Sequence, residues 1–262
     1  MAPEADLQLV VIGDIHAQDI KLWRMLRETG LADRDRRPTE RALTDEDYRL
    51  VLLGDLVHAK SRERYSELTG VRDYDEYNPE HLRLAEQKQE EFLRGVKAFQ
   101  DQLPEGRMVI LMGNHDFNAV TAQGPLRTDD VTHLEWKEGA ELPEELFRWV
   151  SSWPYEFVES GIHCAHVGPL PEHNTFDQDF YLENRRRWLQ VDRDFLADTP
   201  HRLGVYGHTP VRGGLNLASQ GNAILLDSNG FRDEYSWLLV DIMPDSYRLR
   251  LQGLYFDEII QR

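Results

Sequence analysis

Cysteine is almost absent from the sequence, since Cys164 is the only one among 262 residues. A single cysteine excludes an intramolecular disulfide and any metal site built on a Cys-x-x-Cys pair. It also excludes a closed structural zinc site made of thiolates. The expected role of Cys164 is therefore that of a small residue in the hydrophobic core.

Long hydrophobic runs are missing as well. Residues 1–6 carry no basic segment of the kind that opens a signal peptide, and the apolar run over 7–12 is too short for a signal-peptide core or a membrane span. We therefore predict a soluble cytoplasmic protein with no membrane partner. The chain is long enough to bury a full core, and its motifs span most of its length, so we predict one domain over residues 1–262.

Positive charge is scarce, with 30 Lys and Arg against 47 Asp and Glu and a formal net charge of -17. Such a field repels the phosphate backbone of nucleic acids, so non-specific nucleic-acid binding is not expected. An acidic surface attracts multivalent cations only weakly. A metal site must therefore be argued from individual ligands.

Three apolar segments of strand length each end in a glycine followed by residues of metal-ligand type. They lead into Gly13-Asp14-Ile15-His16, Gly54-Asp55 and Gly113-Asn114-His115-Asp116. Open α/β sheets bind their ligands at the carboxyl edge of the strands. The three segments therefore predict a metal centre at that edge. Asp55, from the middle segment, is expected to bridge two metal ions.

The spacing of apolar residues predicts the remaining elements. Helices are expected over 17–28, from 78 to about 102, over 143–149 and over 176–196, with a surface loop over 31–48 and a lid-like excursion with little regular structure over 117–139. A hairpin is expected over 155–158 and 162–166, and a second mixed or antiparallel sheet from strands at 203–206, 223–226, 235–242 and 247–254. The predicted fold class is α/β, with two mixed sheets packed face to face and flanked by helices.

Two further motifs follow in order, His166-Val167-Gly168 and Gly207-His208-Thr209-Pro210. With them, the chain resembles the calcineurin-like metallophosphoesterases from about residue 7 to residue 241. Within that family it is similar to the phosphoprotein phosphatase branch and its bacterial dinucleoside-polyphosphate hydrolase relatives. Residues 222–230 also resemble the family's strand and Asp-Thr-Gly turn after the last histidine. One Gly-Asp pair is common, whereas five motifs in a fixed order are specific.

The resemblance implies a site for two divalent metal ions. Its first metal would be bound by Asp14, His16 and Asp55, and its second by Asp55, Asn114, His166 and His208. These ligand types suit manganese, with iron or zinc as alternatives. The resemblance also implies hydrolysis by a hydroxide that bridges the metals, with His115 protonating the leaving oxygen. Pro210 stands where phosphodiesterases of the superfamily often have another histidine, which matches the monoester branch.

The second motif departs from the family pattern Gly-Asp-x-x-Asp-Arg-Gly, because His58, Ala59 and Lys60 occupy its last three places. The carboxylate that orients the acid histidine and the arginine that clamps phosphate are missing there, and lysine offers only a point charge. Substrate contacts are therefore predicted from Asn114 and from two basic groups. These groups are Lys60, Arg62 and Arg64 on one side and Arg185, Arg186 and Arg187 on the other, with Arg186 preferred.

The predicted function is metal-dependent hydrolysis of a phosphomonoester on a phosphorylated protein or small molecule. Without its carboxylate partner His115 should be a poorer acid, so phenolate or phosphoanhydride leaving groups should be favoured over serine alkoxides. The alternatives are symmetrical cleavage of dinucleoside polyphosphates, a polynucleotide end phosphatase, and a non-catalytic, metal-stabilised binding protein. Taken singly, Asp14 and Asp55 would be ordinary cap or turn residues, and His166 and His208 ordinary core histidines.

Overall fold

The computed structural model describes residues 6–122, 131–137, 140–168, 196, 199–210, 216–217, 222–227, 235–254 and 256–261. The helix expected over 176–196 lies outside these ranges except for Leu196. Arg185, Arg186 and Arg187 lie outside them too.

The described helices lie between and after the first three strands, and the described elements that follow Ser151 are strands. The helices are α1 (Asp19–Glu28), α2 (Glu40–Thr44), α3 (Arg62–Thr69), α4 (Pro79–Gln100), α5 (Asn114–Thr121) and α6 (Glu144–Ser151). The strands are β1 (Leu7–Ile12), β2 (Tyr48–Leu52), β3 (Met108–Ile110), β4 (Glu156–Glu159), β5 (Ile162–Ala165), β6 (Leu203–Pro210), β7 (Asn216–Leu217), β8 (Ala223–Asp227), β9 (Tyr235–Met243), β10 (Ser246–Leu254) and β11 (Phe256–Gln261).

The strands form two mixed sheets. The first has the order β11-β10-β9-β1-β2-β3, and the second has the order β4-β5-β6-β8-β7. Strands β1, β2 and β3 run parallel, with Ile12 beside Leu52 and Leu52 beside Ile110. Their carboxyl ends therefore reach the same edge of the first sheet, as the three predicted strand ends require.

A hydrophobic layer joins the two sheets face to face. Leu9, Val11 and Val51 from the first sheet contact residues such as Cys164 and Val205 from the second, and all are buried. The opposite face of the first sheet packs against α1, α4 and α6, whose apolar sides complete a second core. The predicted α/β class, with two sheets flanked by helices, is confirmed.

The helix predicted to start at residue 78 follows from local capping. The side chain of Asn78 accepts a hydrogen bond from the backbone N–H of Glu80, and Pro79 takes the first helical position. The chain then returns through a long crossover to β3, as parallel pairing demands. No helix among the described residues has both the length and the apolar composition needed to cross a membrane.

Three predictions about the elements are wrong. The loop expected over 31–48 contains α2, which Thr39 caps through its side chain, and the excursion expected over 117–139 begins inside α5. Strands β9 and β10 join the first sheet instead of the second. Strand β9 pairs antiparallel with the whole of β1, and all nine of its residues are buried, so it closes an edge that β1 would otherwise expose.

Candidate metal centre

The turns after the first-sheet strands have unusual backbone conformations. His16 and Asp55 each have a φ of 50°, and His208, on β6, has a φ of 62°. Positive φ is uncommon for residues other than glycine, and it persists where the surroundings over-determine it, often at functional sites. All three residues are among the metal ligands that the sequence predicts.

Glycine is required where these turns touch. A Cβ atom at Gly113 would overlap the backbone nitrogen and the carboxylate of Asp55. A Cβ atom at Gly13 would overlap the carbonyl oxygen of Leu226 on β8. The two glycines therefore allow the turn after β3 to approach the turn after β2, and allow β8 to approach the turn after β1.

The predicted ligands converge on one buried point. The Nε2 atom of His16 lies 3.5 Å from Oδ2 of Asp14 and 3.7 Å from Oδ2 of Asp55. The same Asp55 oxygen lies 3.4 Å from Nε2 of His166, which is 3.0 Å from Oδ1 of Asn114. Asp55 therefore stands between His16 and His166, in the central position predicted for it.

His208 completes the second half of this arrangement. One ligand atom each from Asp55, His166 and His208 lies within 4.8 Å of the others. The rings of His166 and His208 have their centroids 5.3 Å apart, and the backbone N–H of His208 donates to Oδ1 of Asp14 at 2.9 Å. All the predicted metal ligands are thus within one cluster.

Three atoms of this cluster make no hydrogen bond although they are buried: Oδ2 of Asp14, Nε2 of His16 and Oδ2 of Asp55. Buried polar atoms are nearly always paired, so three unpaired atoms that face one another need a further partner. A divalent cation fits this need, because carboxylate, amide and imidazole donors suit manganese, iron and zinc. The residues present therefore fit the metal ions that the family implies.

The other atoms of the cluster hold the ligands in place. The Nδ1–H of His16 donates to the carbonyl oxygen of His58 at 3.0 Å, and that of His166 donates to Leu53 at 2.8 Å. Oδ1 of Asp55 accepts from the backbone N–H of His115 at 2.8 Å. Each side chain thus turns one polar atom to the backbone and the other to the centre, as metal ligands commonly do.

The carboxylates and the histidines of the cluster stabilise one another's charged forms. Burial lowers the pKa of His166, but the carboxylates of Asp55 and Asp14 outweigh burial and raise that pKa to about 9. Burial raises the pKa of Asp14, but His166 and His16 outweigh it and hold that pKa well below its usual range. At neutral pH, the imidazole of His166 is therefore protonated on both nitrogens and positively charged when no metal is bound.

Asp116 connects the two central turns without facing the cluster. Its Oδ1 atom accepts from the backbone N–H groups of Leu56 and Val57 at 2.9 and 3.2 Å, and Oδ2 accepts from Gly113 at 3.1 Å. It has the local backbone role that its place next to His115 suggests.

His115 lies beside the cluster with two further histidines. Its ring meets that of His16 edge to face, with centroids 5.0 Å apart, and its Nδ1 lies 3.3 Å from Nδ1 of His58. His58, which stands at the place of the second aspartate in the family pattern, therefore contacts His115. His133 stacks on His58 at 4.6 Å. Nothing in the sequence marks His133 for this position, because it belongs to no motif.

The basic side chains that are predicted to bind the substrate differ in their surroundings. The charge of Lys60 helps lower the pKa of His16, after burial, which places this lysine near the cluster. Arg62 instead forms a bidentate ion pair with Glu76, at 2.9 and 2.7 Å. A phosphate contact by Arg62 would require this pair to open. Arg64 lines a cavity of about 510 Å³ beside His16, together with Ala59 and Phe92.

The family model for calcineurin-like phosphoesterases matches residues 7–239. The chain therefore belongs to the calcineurin-like phosphoesterase family, and it is a phosphoester hydrolase rather than a non-catalytic binding protein. No curated protein matches its sequence.

Solved structures share the fold. A cold-active protein tyrosine phosphatase from a psychrophilic Shewanella species is 15% identical, with a TM-score of 0.53 over 97% of this chain and 83% of that chain. Another structure of a cold-active protein tyrosine phosphatase is also 15% identical, with a TM-score of 0.54 over 97% and 81%. A serine/threonine phosphatase from Saccharomyces cerevisiae is 14% identical, with a TM-score of 0.49 over 97% and 81%.

Proposed function

We propose that this enzyme is a two-metal phosphomonoesterase. Asp14, His16 and Asp55 would hold one divalent cation, and Asp55 with Asn114, His166 and His208 would hold the second. The observation that carries this proposal is the buried Oδ2 of Asp55, which makes no hydrogen bond and lies 3.7 Å from His16 and 3.4 Å from His166. An oxygen so placed is suited to serve two ions at once.

The cations supply the electrostatic part of the chemistry, since two divalent ions, manganese by preference and iron or zinc as alternatives, activate water and stabilise charge on phosphoryl oxygens. The side chains supply the rest. Asn114 and Lys60 would orient the phosphoryl group, and Arg185 and Arg186 remain candidates for the same task. His115 would give a proton to the leaving oxygen.

The environment of His115 favours good leaving groups. Burial, followed by the charge of Lys137, lowers the pKa of His58 to about 3, so this partner of His115 stays neutral. A neutral imidazole stabilises a protonated His115 less than a carboxylate would. Phenolates and phosphoanhydrides need less protonation than alkoxides as they leave, so phosphotyrosine is the preferred class of protein substrate.

A substrate panel tests this preference. With Mn²⁺ added, kcat/KM for a phosphotyrosine peptide is expected to exceed that for the matched phosphoserine peptide by about tenfold or more, since one general acid contributes about 10²–10⁴-fold. The matched peptides differ only at the phosphorylated residue, which controls for binding outside the site. A clear preference for phosphoserine would sink the proposed substrate class.

Dinucleoside polyphosphates are the second candidate substrate. The cavity of about 510 Å³ beside His16 is lined by apolar side chains such as Ile20 and by charged side chains, among which Arg36, Arg64 and Lys88 pair with Asp19, Glu67 and Glu91. A cavity of this size has room for a nucleoside next to the cluster. Release of nucleotides, instead of orthophosphate, from a dinucleoside polyphosphate would support this second function.

Metal binding should displace a proton. Because the pKa of His166 is raised to about 9 in the metal-free site, this ligand must lose a proton before it can bind a cation. We expect Mn²⁺ binding at about pH 7 to release about one proton per chain from His166, and the apparent affinity to rise as the pH rises towards about 9. Calorimetry in buffers of different ionisation enthalpy measures this release.

The control for this experiment is another buried histidine. His163 contacts Glu156 and Tyr206 on β4 and β6, away from the cluster. The variant His163→Asn is expected to release the same number of protons as the parent protein. An affinity that is constant or falls between about pH 6 and pH 8 would contradict the competition between proton and metal.

A further inference from the structure

We propose that His58, His115 and His133 form a third metal site next to the pair at Asp55, with no proposed ligand in common with it, and that it takes Zn²⁺ or another transition metal that prefers nitrogen ligands. The three side chains come from the turn after β2, the first turn of α5 and the segment before α6. All three are buried, with at most 3% of their surface exposed. The consequence for activity, given below, depends on the proposed role of His115.

The nitrogen atoms have a spacing that a metal ion can use. One nitrogen of each ring lies within 4.8 Å of the nitrogens of the other two. The Nδ1 atoms of His58 and His115 are 3.3 Å apart. Two nitrogens bound to zinc at about 2.0–2.1 Å with a tetrahedral angle are about 3.3 Å apart, so this pair already has the chelating distance.

Two nitrogens of the cluster have no hydrogen-bond partner although they are buried, Nε2 of His58 and Nε2 of His133. A hydrogen bond between His58 and His115 satisfies only their Nδ1 atoms. Since unpaired buried nitrogens are rare, Nε2 of His133 indicates that the cluster receives a ligand, and Nδ1 of His58 and Nδ1 of His115 are the atoms that would complete its binding.

His133 is held by its other nitrogen. The hydroxyl group of Tyr65 lies 2.8 Å from Nδ1 of His133, and Oε2 of Glu135 lies 4.0 Å from the same atom. Glu135 is fixed in turn by Gln89, whose Nε2 donates to its carboxylate at 2.8 Å. Metal-ligating histidines usually have their second nitrogen fixed in this way, which leaves Nε2 of His133 as the ligand atom.

Binding requires a small movement. The rings of His58 and His133 stack with centroids 4.6 Å apart and an interplanar angle of 17°. A rotation about the broad χ2 torsion of one ring would bring the third nitrogen closer by up to about 1.5 Å. The completed site would have three nitrogen ligands and an open position, which favours zinc or cobalt over manganese.

Occupation of this site should inhibit the enzyme. A cation bound to Nδ1 of His115 prevents this imidazole from taking up a second proton, and the imidazolium is the form that would protonate the leaving oxygen in the proposed reaction. Zinc or cobalt bound at the third site would therefore inhibit the manganese-loaded enzyme, and metal analysis distinguishes this from replacement of manganese, which both metals can also cause. Whether the third site exists can be tested by metal binding alone, without measuring enzyme activity.

The test adds Co²⁺ to the full chain loaded with Mn²⁺ and measures metal content and the visible absorption of bound cobalt. The parent protein is expected to bind one cobalt per chain beyond its manganese, with the absorption of a nitrogen-ligated, low-coordinate ion. His133→Asn is expected to lose this ion. Tyr65→Phe, which keeps all three ligands, is expected to weaken its affinity by about 10- to 100-fold.

The control uses a histidine pair of similar ring geometry. His163 and His201 stack at 4.4 Å with an interplanar angle of 15°, and no third histidine joins them in the described ranges. His201→Asn is expected to bind cobalt as the parent does. If cobalt binds equally to His133→Asn and to the parent, or binds only by replacing manganese, the third site does not exist.

The activity arm separates the two proposals. Inhibition by zinc is measured relative to the manganese-supported rate of each variant. His133→Asn is expected to need at least tenfold more zinc than the parent for the same inhibition. If His133→Asn does not fold, Tyr65→Phe takes its place in this comparison. If cobalt binds but the parent has no phosphatase activity, the third site stands and the proposed function fails. If cobalt binds and zinc does not inhibit, the inhibitory role is overturned.

Discussion

Replacing Asp55 with asparagine is expected to lower kcat/KM by about 10³-fold or more and to reduce the bound manganese to one ion per chain or none. Oδ2 of Asp55 is the buried oxygen between His16 and His166, and it makes no hydrogen bond within the protein. An amide at this position removes the negative charge that two cations would share, and several kcal/mol of transition-state stabilisation come from such ions. Steady-state kinetics and metal analysis of the purified variant measure both effects.

The matched control is Asp241→Asn, which changes a buried aspartate on β9 outside the cluster. Asp241 accepts hydrogen bonds from Gln8, Arg248 and Arg250, so its variant should lower the free energy of unfolding by about 2 kcal/mol. It should keep both metal ions and the kcat/KM of the folded protein. An Asp55→Asn protein that kept two manganese ions and normal kinetics would show that Asp55 is not the shared ligand.

Replacing His115 with asparagine is expected to slow the hydrolysis of alkyl phosphates by about 10²–10⁴-fold, because the leaving alkoxide then lacks its acid. The rate with p-nitrophenyl phosphate should fall much less, because p-nitrophenolate leaves without protonation. The ring of His115 lies beside that of His16, with 5.0 Å between the ring centroids. A plot of log(kcat/KM) against the leaving-group pKa should therefore be steeper in the variant.

The metal content of His115→Asn provides the internal control. The two manganese ions should remain, since the proposed ligands of the pair do not include this side chain. An equal loss of rate for alkyl and aryl substrates would mean that His115 acts on binding or on the metals instead of on the leaving group. An unchanged rate with alkyl phosphates would exclude it as the acid.

The residues of the candidate metal centre could be predicted because their signals are local. Asp14, Asp55 and Asn114 each follow an apolar segment and a glycine, and the structure has them at the ends of β1, β2 and β3. Parallel pairing then brings these ends together without further information. The signal for the helix that begins at Pro79 is equally local, because Asn78 and Pro79 are typical of a helix start.

The features that the sequence could not predict depend on long-range packing. Strand β9 is buried along its length and pairs with β1, but nothing in residues 235–243 tells which sheet they join. Arg62 looked like a phosphate ligand, yet the partner that holds it is Glu76, which precedes the next helix. His133 reaches His58 only because of the path of the chain between α5 and α6.

The most direct test of the shared carboxylate is electron paramagnetic resonance of the metal-free protein titrated with Mn²⁺. Two manganese ions that share Asp55 are expected to give the spectrum of a spin-coupled pair as the second equivalent binds. The signal should be lost in Asp55→Asn. Independent mononuclear signals at two equivalents of manganese, or no bound manganese at all, would contradict a metal pair built around this residue.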